Sequence, residues 1–151
     1  MKRSKHPMMN RLIQSLSATI LSVGIAHAAS PLAGTWMLTA ADTLYADGHR
    51  AHGFGDHPEG RMIVDAQGRY MIEIYQVDGT PHYSVHYGRV MLDPAAHHVV
   101  FDVERSADSS WVGKRQVRDY KLMGDHLSYQ VPASATGDKT IAISEWTRAA
   151  E

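Results

Sequence analysis

Gly34-Thr35-Trp36 opens a strand-like run over Thr35–Tyr45, and Glu145-Trp146-Thr147-Arg148 closes the chain. Between them, short stretches of alternating apolar and polar residues are cut by Asp47-Gly48, Gln67-Gly68, Asp78-Gly79 and Gly124-Asp125. Turns this tight need left-handed backbone, which glycine adopts without steric cost, and they join strands that run antiparallel. Asp93-Pro94-Ala95-Ala96 fits a type I turn with proline at its second position. The pattern predicts strands over Thr35–Tyr45, Gly60–Asp65, Arg69–Val77, His82–Leu92, His97–Arg105, Gly113–Met123, His126–Val131 and Lys139–Thr147, with no amphipathic helix among them. Short hairpins throughout imply that sequence neighbours are also spatial neighbours. The expected fold is therefore all-β, a single antiparallel up-and-down β-barrel of about eight strands. Such a barrel either fills its interior with side chains or holds one small ligand. Two connections are longer. His49–Glu59 is rich in glycine and histidine, and Ser106–Val112 carries Trp111.

Residues 1–28 read as a secretory signal, leaving 29–151 as the barrel domain. Lys2, Arg3, Lys5 and Arg11 form a basic start, Leu12–Ile25 is short and mostly apolar, and Ala26-His27-Ala28 is a small-x-small cleavage site. The apolar stretch is too short and too polar to span roughly 30 Å of hydrocarbon, so no stable membrane insertion is expected once it is removed. Its loss leaves 11 of the 15 Lys+Arg against all 16 Asp+Glu, a net charge of −5. A mildly acidic domain without a basic cluster is a poor nucleic-acid binder, and no nucleic-acid partner is expected. The absence of cysteine excludes disulfides, thiolate metal sites and cysteine nucleophiles. A mature domain of this size is large enough to be held by its core alone.

Alternation assigns the two faces of each strand without saying which is inward. Tyr83, Val85, Tyr87, Arg89 and Met91 share one face, and His82, Ser84, His86 and Val90 the other. Val99, Phe101 and Val103 oppose His98, Val100, Asp102 and Glu104, while Arg118, Tyr120 and Leu122 oppose Val117, Asp119 and Lys121. Glu104 and Arg118 lie on consecutive predicted strands. Together with Asp102, Tyr87 and Arg89 they either converge on a lumen, as a proton-transfer site or a head-group anchor, or form a wet outer ion pair. Phe101 and Trp111 complete the candidate ligand-binding set, and Glu104 and Arg118 are the catalytic candidates. His82 and His86 are too far apart along a strand to share one ion, and the His49, His52 and His57 trio matches no ligand spacing. Neither a metal nor any other cofactor is expected, and no phosphate loop, dinucleotide fingerprint or catalytic triad stands out.

With these residues in place, the chain resembles the bacterial lipocalin-like domain family over roughly Leu32 to Arg148. The resemblance is carried by Leu32-Ala33-Gly34-Thr35-Trp36-Met37-Leu38, by Pro58-Glu59-Gly60-Arg61-Met62-Ile63-Val64 and by Asp65-Ala66-Gln67-Gly68-Arg69-Tyr70-Met71. It continues through Tyr87-Gly88-Arg89-Val90, Ser110-Trp111-Val112-Gly113, Gln116-Val117-Arg118 and Gly124-Asp125-His126-Leu127 to Trp146-Thr147-Arg148. It implies an eight-stranded calyx able to hold a small apolar molecule, with Trp36 plugging the floor and Arg148 stacked across it. A histidine that relatives carry near Phe101 or Asp102 is displaced here to His97 and His98.

Three functions fit. An exported lipocalin-like protein would bind a small hydrophobic or amphipathic molecule. A barrel enzyme of isomerase, cyclase or lyase type would act on an apolar substrate through lumen acid–base residues. A filled barrel would act through its surface. Export itself is directly testable: intact-mass measurement of secreted protein should place the new N-terminus at or near Ala29, and retention of Met1, Met8 or Met9 would overturn the leader.

Overall fold

The computed structural model describes residues 28–131 and 140–150. The signal segment, up to His27, lies outside the described residues, as does Lys139, the first residue of the last predicted strand. Among the described residues nine strands form one sheet: β1 (Gly34–Leu44), β2 (Arg50–His52), β3 (Pro58–Val64), β4 (Arg69–Gln76), β5 (His82–Asp93), β6 (His98–Ser106), β7 (Arg115–Met123), β8 (His126–Gln130) and β9 (Ile141–Arg148). A 3₁₀ turn, Ser109–Trp111, interrupts the β6–β7 connection. From β3 onward each strand pairs antiparallel with the next, and β1 pairs with both β3 and β9. The eight strands other than β2 thus close into the up-and-down barrel that the turns imply.

The turn glycines do what their sequence context asks of them. Gly48, Gly68, Gly79 and Gly124 all hold positive φ. After Asp93 and Pro94 the left-handed position is taken by His97, at φ 56°, so β6 begins one residue later than the alternation suggests.

The sequence pattern misses β2. Within the long His49–Glu59 connection, Arg50–His52 pairs with Asp42–Leu44. Side chains on the outer wall pin it there. Arg50 Nε sits 3.0 Å from Asp42 Oδ2, its Nη2 donates to Glu145 Oε1 at 2.9 Å, and His52 Nδ1 lies 3.0 Å from Asp42 Oδ1. Asp42 is 9 % exposed because these groups cover it. The chain then returns across one end of the barrel, bringing Phe54 onto the His82 ring at 4.5 Å between centroids.

The opposite end is sealed. Trp36 is fully buried and donates from Nε1 to the Leu32 carbonyl at 2.8 Å. The Arg148 guanidinium carbon lies 4.1 Å from the Trp36 ring centre, a cation–π contact, and the same guanidinium donates to the carbonyls of Ala33 and Pro31. Gly34, at φ 129°, leaves room for this crossing, because a Cβ there would stand 3.0 Å from Arg148 Nη1. Leu32, Met62, Val64, Leu127 and Trp146 pack around the plug.

A bulge shapes the other wall. Tyr87 pairs with Arg105 and Gly88 with Val103, so Glu104 is left as the extra residue of β6. The backbones approach so closely there that a Cβ on Gly88 would lie 2.0 Å from the Asp102 carbonyl oxygen. Only a glycine fits without moving β6. Gly88→Ala is therefore expected to destabilise the barrel by about 3 kcal/mol or more, read as a drop in the urea midpoint, whereas an unchanged midpoint would place the strands farther apart.

Candidate ligand-binding lumen

The barrel interior is not filled. A cavity of about 590 Å³ runs from its middle to the end formed by the β2–β3, β4–β5 and β6–β7 connections. Inward-facing residues build it by simple alternation. The register pairs Val99 with Arg118 and Phe101 with Gln116, which turns Gln116 and Arg118 of β7 to the same side as the apolar row of β6. Ile74 comes from β4, Ser84 and His86 from β5, Tyr129 from β8, and Ala142 and Ser144 from β9. At the rim stand Phe54, His82, Asp108 and Trp111, the Trp111 ring meeting His86 edge-on at 5.4 Å.

Three of the residues singled out in the sequence line this cavity: Phe101, Trp111 and Arg118. The other four do not. Tyr87 and Arg89 project from the outer wall of β5, Tyr87 at 46 % exposure. Asp102 also faces outward, where Arg115 grips it with two hydrogen bonds, Nε to Oδ1 at 2.7 Å and Nη2 to Oδ2 at 2.9 Å. That contact holds the Asp102 carboxyl below its ordinary range. Glu104 is exposed at the bulge. The anticipated meeting of Glu104 with Arg118 does not form. Val99, Phe101 and Val103 occupy the inner row of β6, so the acids between and beyond them fall outside, and the cross-strand ion pair is Asp102–Arg115. The His49, His52 and His57 trio does not converge either. His49 stacks on Tyr45 at 4.3 Å while His52 contacts Asp42, and among the described residues no group of three or more His, Asp or Glu is placed to hold a metal ion.

His86, which alternation placed on a face without assigning to the site, makes its polar centre together with Tyr70 and Tyr129, which alternation did not place. His86 is 7 % exposed, and its Nδ1 lies 2.9 Å from the Tyr70 hydroxyl. Burial, aided by the Arg118 charge, pushes the His86 pKa down to about 4. Burial also pushes the Tyr70 hydroxyl upward, and takes Tyr129 to about 12. All three are therefore neutral near pH 7.

Arg118 is the cation of the lumen. Its Nη1 donates to the Val117 carbonyl at 3.0 Å and its Nη2 to Gln116 Oε1 at 2.9 Å. Burial lowers its pKa from the ordinary arginine value, but the neighbouring Tyr129 and Tyr70 oxygens oppose that shift, and so basic a guanidinium stays charged. Among the described residues no carboxylate makes an ion pair with it. The acid at the rim, Asp108, instead caps the 3₁₀ turn, accepting from Ser110 N at 2.9 Å and Ser110 Oγ at 2.6 Å.

No family model matches the chain, and no curated protein matches it either. The fold and the lumen therefore carry the functional reading.

The buried His86 gives stability a definite pH dependence. In the unfolded chain the ring titrates near 6.5 and in the fold near 4, so between these values the unfolded state binds the extra proton. Its contribution is complete above pH 6.5 and is lost progressively down to pH 4, a change of about 3 kcal/mol. His86→Gln keeps a polar partner for Tyr70 and cannot titrate. Urea unfolding at pH 7 and pH 4 should show the variant losing about that much less than wild type; equal losses would mean His86 is not held neutral.

Proposed function

We propose that this protein is an exported lipocalin-like carrier whose calyx holds one small amphipathic molecule. The observation that carries the proposal is the open lumen. An eight-stranded barrel is just wide enough for its own side chains to fill, yet this one keeps about 590 Å³ free, within the range of small-molecule sites. The lining suits an amphipathic occupant, with Phe101, Ile74, Phe54 and Trp111 offering apolar surface and Arg118, Gln116, Ser84 and Ser144 a polar region. The same cavity argues against the filled-barrel alternative. Export rests on the basic, apolar and small-residue pattern of the first 28 residues.

A barrel enzyme is the second reading, and one contact favours it. The Tyr70–His86 hydrogen bond places two neutral proton-carrying groups beside a cationic guanidinium at the wall of the lumen. Such a pair can shuttle a proton at a bound substrate. It replaces Glu104 as the acid–base element, because Glu104 is outside the lumen.

Binding is tested with a fluorescent fatty-acid analogue. Titration should saturate at one molecule per barrel, raise the melting temperature and change tryptophan emission, the emission change being lost in Trp111→Phe. At a hundredfold excess over Kd, a ligand that binds only the folded state stabilises by about 2.7 kcal/mol. Absence of saturable binding across a broad set of apolar and amphipathic molecules, with no shift in melting, would sink the carrier reading. Consumption of the bound molecule, abolished by His86→Gln, would decide for the enzyme.

A further inference from the structure

We infer that the calyx selects an anionic ligand, a carboxylic acid whose head is held by the Arg118 guanidinium while its apolar body lies along Phe101 toward Trp111 and Phe54. The inference rests on the carrier reading and specifies the ligand of that same cavity.

A guanidinium carries five N–H donors, and Arg118 uses two of them on Val117 O and Gln116 Oε1. Three remain, and both acceptors already engaged are neutral. The cost of placing a charge in a half-buried wall is ordinarily offset by an acid nearby, and among the described residues no acid pairs with Arg118. Asp102 is held by Arg115 on the outer wall, Glu104 is exposed at the bulge, and Asp108 caps the turn at the rim. The remaining ionisable groups closest to Arg118, namely His86, Tyr70 and Tyr129, are neutral. Arg118 therefore has no ion-pair partner among the described residues, and Asp108, the acid in the cavity lining, stands at the rim with its carboxylate turned to Ser110. The guanidinium fork matches the two oxygens of a carboxylate. The Gln116 contact fixes the fork from one side, orienting it before any ligand arrives.

The test uses cis-parinaric acid, its alcohol and its methyl ester. All share one fluorescent chain and differ in head-group charge, and at pH 7 the acid is ionised. Wild-type protein should bind the acid roughly 10- to 100-fold more tightly than the alcohol or the ester, the range expected of hydrogen bonds to a charged group. Arg118→Met should bring the acid down to the alcohol's affinity and leave the alcohol's unchanged. Its unliganded melting temperature should be no lower than wild type, since an unpaired charge is being replaced by an apolar chain. Should that variant fail to fold, Arg118→Lys, which keeps the charge and loses the fork, must still weaken the acid selectively. Saturable binding of all three probes with equal affinity, or an acid preference that survives Arg118→Met, overturns the inference and leaves the carrier reading intact. No saturable binding by any of the three probes overturns the inference, and the carrier reading falls with it only when the broad set of apolar and amphipathic molecules also fails to bind.

Discussion

The pairing of β1 with β9 is the constraint on which the rest of the structure depends. Until those strands meet, the chain is an open, strongly twisted sheet with two exposed edges and no interior. Once they meet, every inward-facing row has a lumen to face. The junction is reinforced where the barrel is sealed, by Trp36 opposite Arg148 in register and by the guanidinium lying over the indole. The seal also fixes polarity. With Trp36, Trp146 and Leu127 filling one end, the space left over is pushed toward the other, and that is where His86, Arg118 and Trp111 lie.

Most of the barrel is legible in the sequence because its signals are local. Asp-Gly and Gln-Gly turns specify hairpins, and hairpins specify neighbours. What escaped was specified by distant partners. β2 is three residues long, with no pattern of its own, and exists because Asp42 and Glu145 receive Arg50. The bulge at Glu104 depends on the approach of Gly88 across the sheet.

The site was half legible for a related reason. Alternation sorted β5 into two correct faces, but the usual rule, apolar inward and polar outward, favours the wrong one. The face with Tyr83, Tyr87 and Met91 looks like a core and is exposed, whereas His82, Ser84 and His86 look like a surface and line the cavity. An unfilled lumen leaves polar groups of β5 facing inward, and the apolar side chains of the same strand stand on the outer wall. The purely apolar inner row of β6, Val99, Phe101 and Val103, was the one unambiguous compass. It placed Arg118 only once the pairing of β6 with β7 was known.

The same terminal seam sets the order in which the chain can fold. Ala33 and Arg148, joined by a hydrogen bond, stand 115 positions apart. The hairpins between β3 and β8 are local and can form early, but the contact that makes them a container must wait for the final strand. Closing so long a loop is entropically costly, and topologies dominated by such contacts fold slowly. Without β9 the other strands remain an incomplete sheet. The lumen and the wall that bounds it therefore come into being together, in the step that pairs β9 with β1.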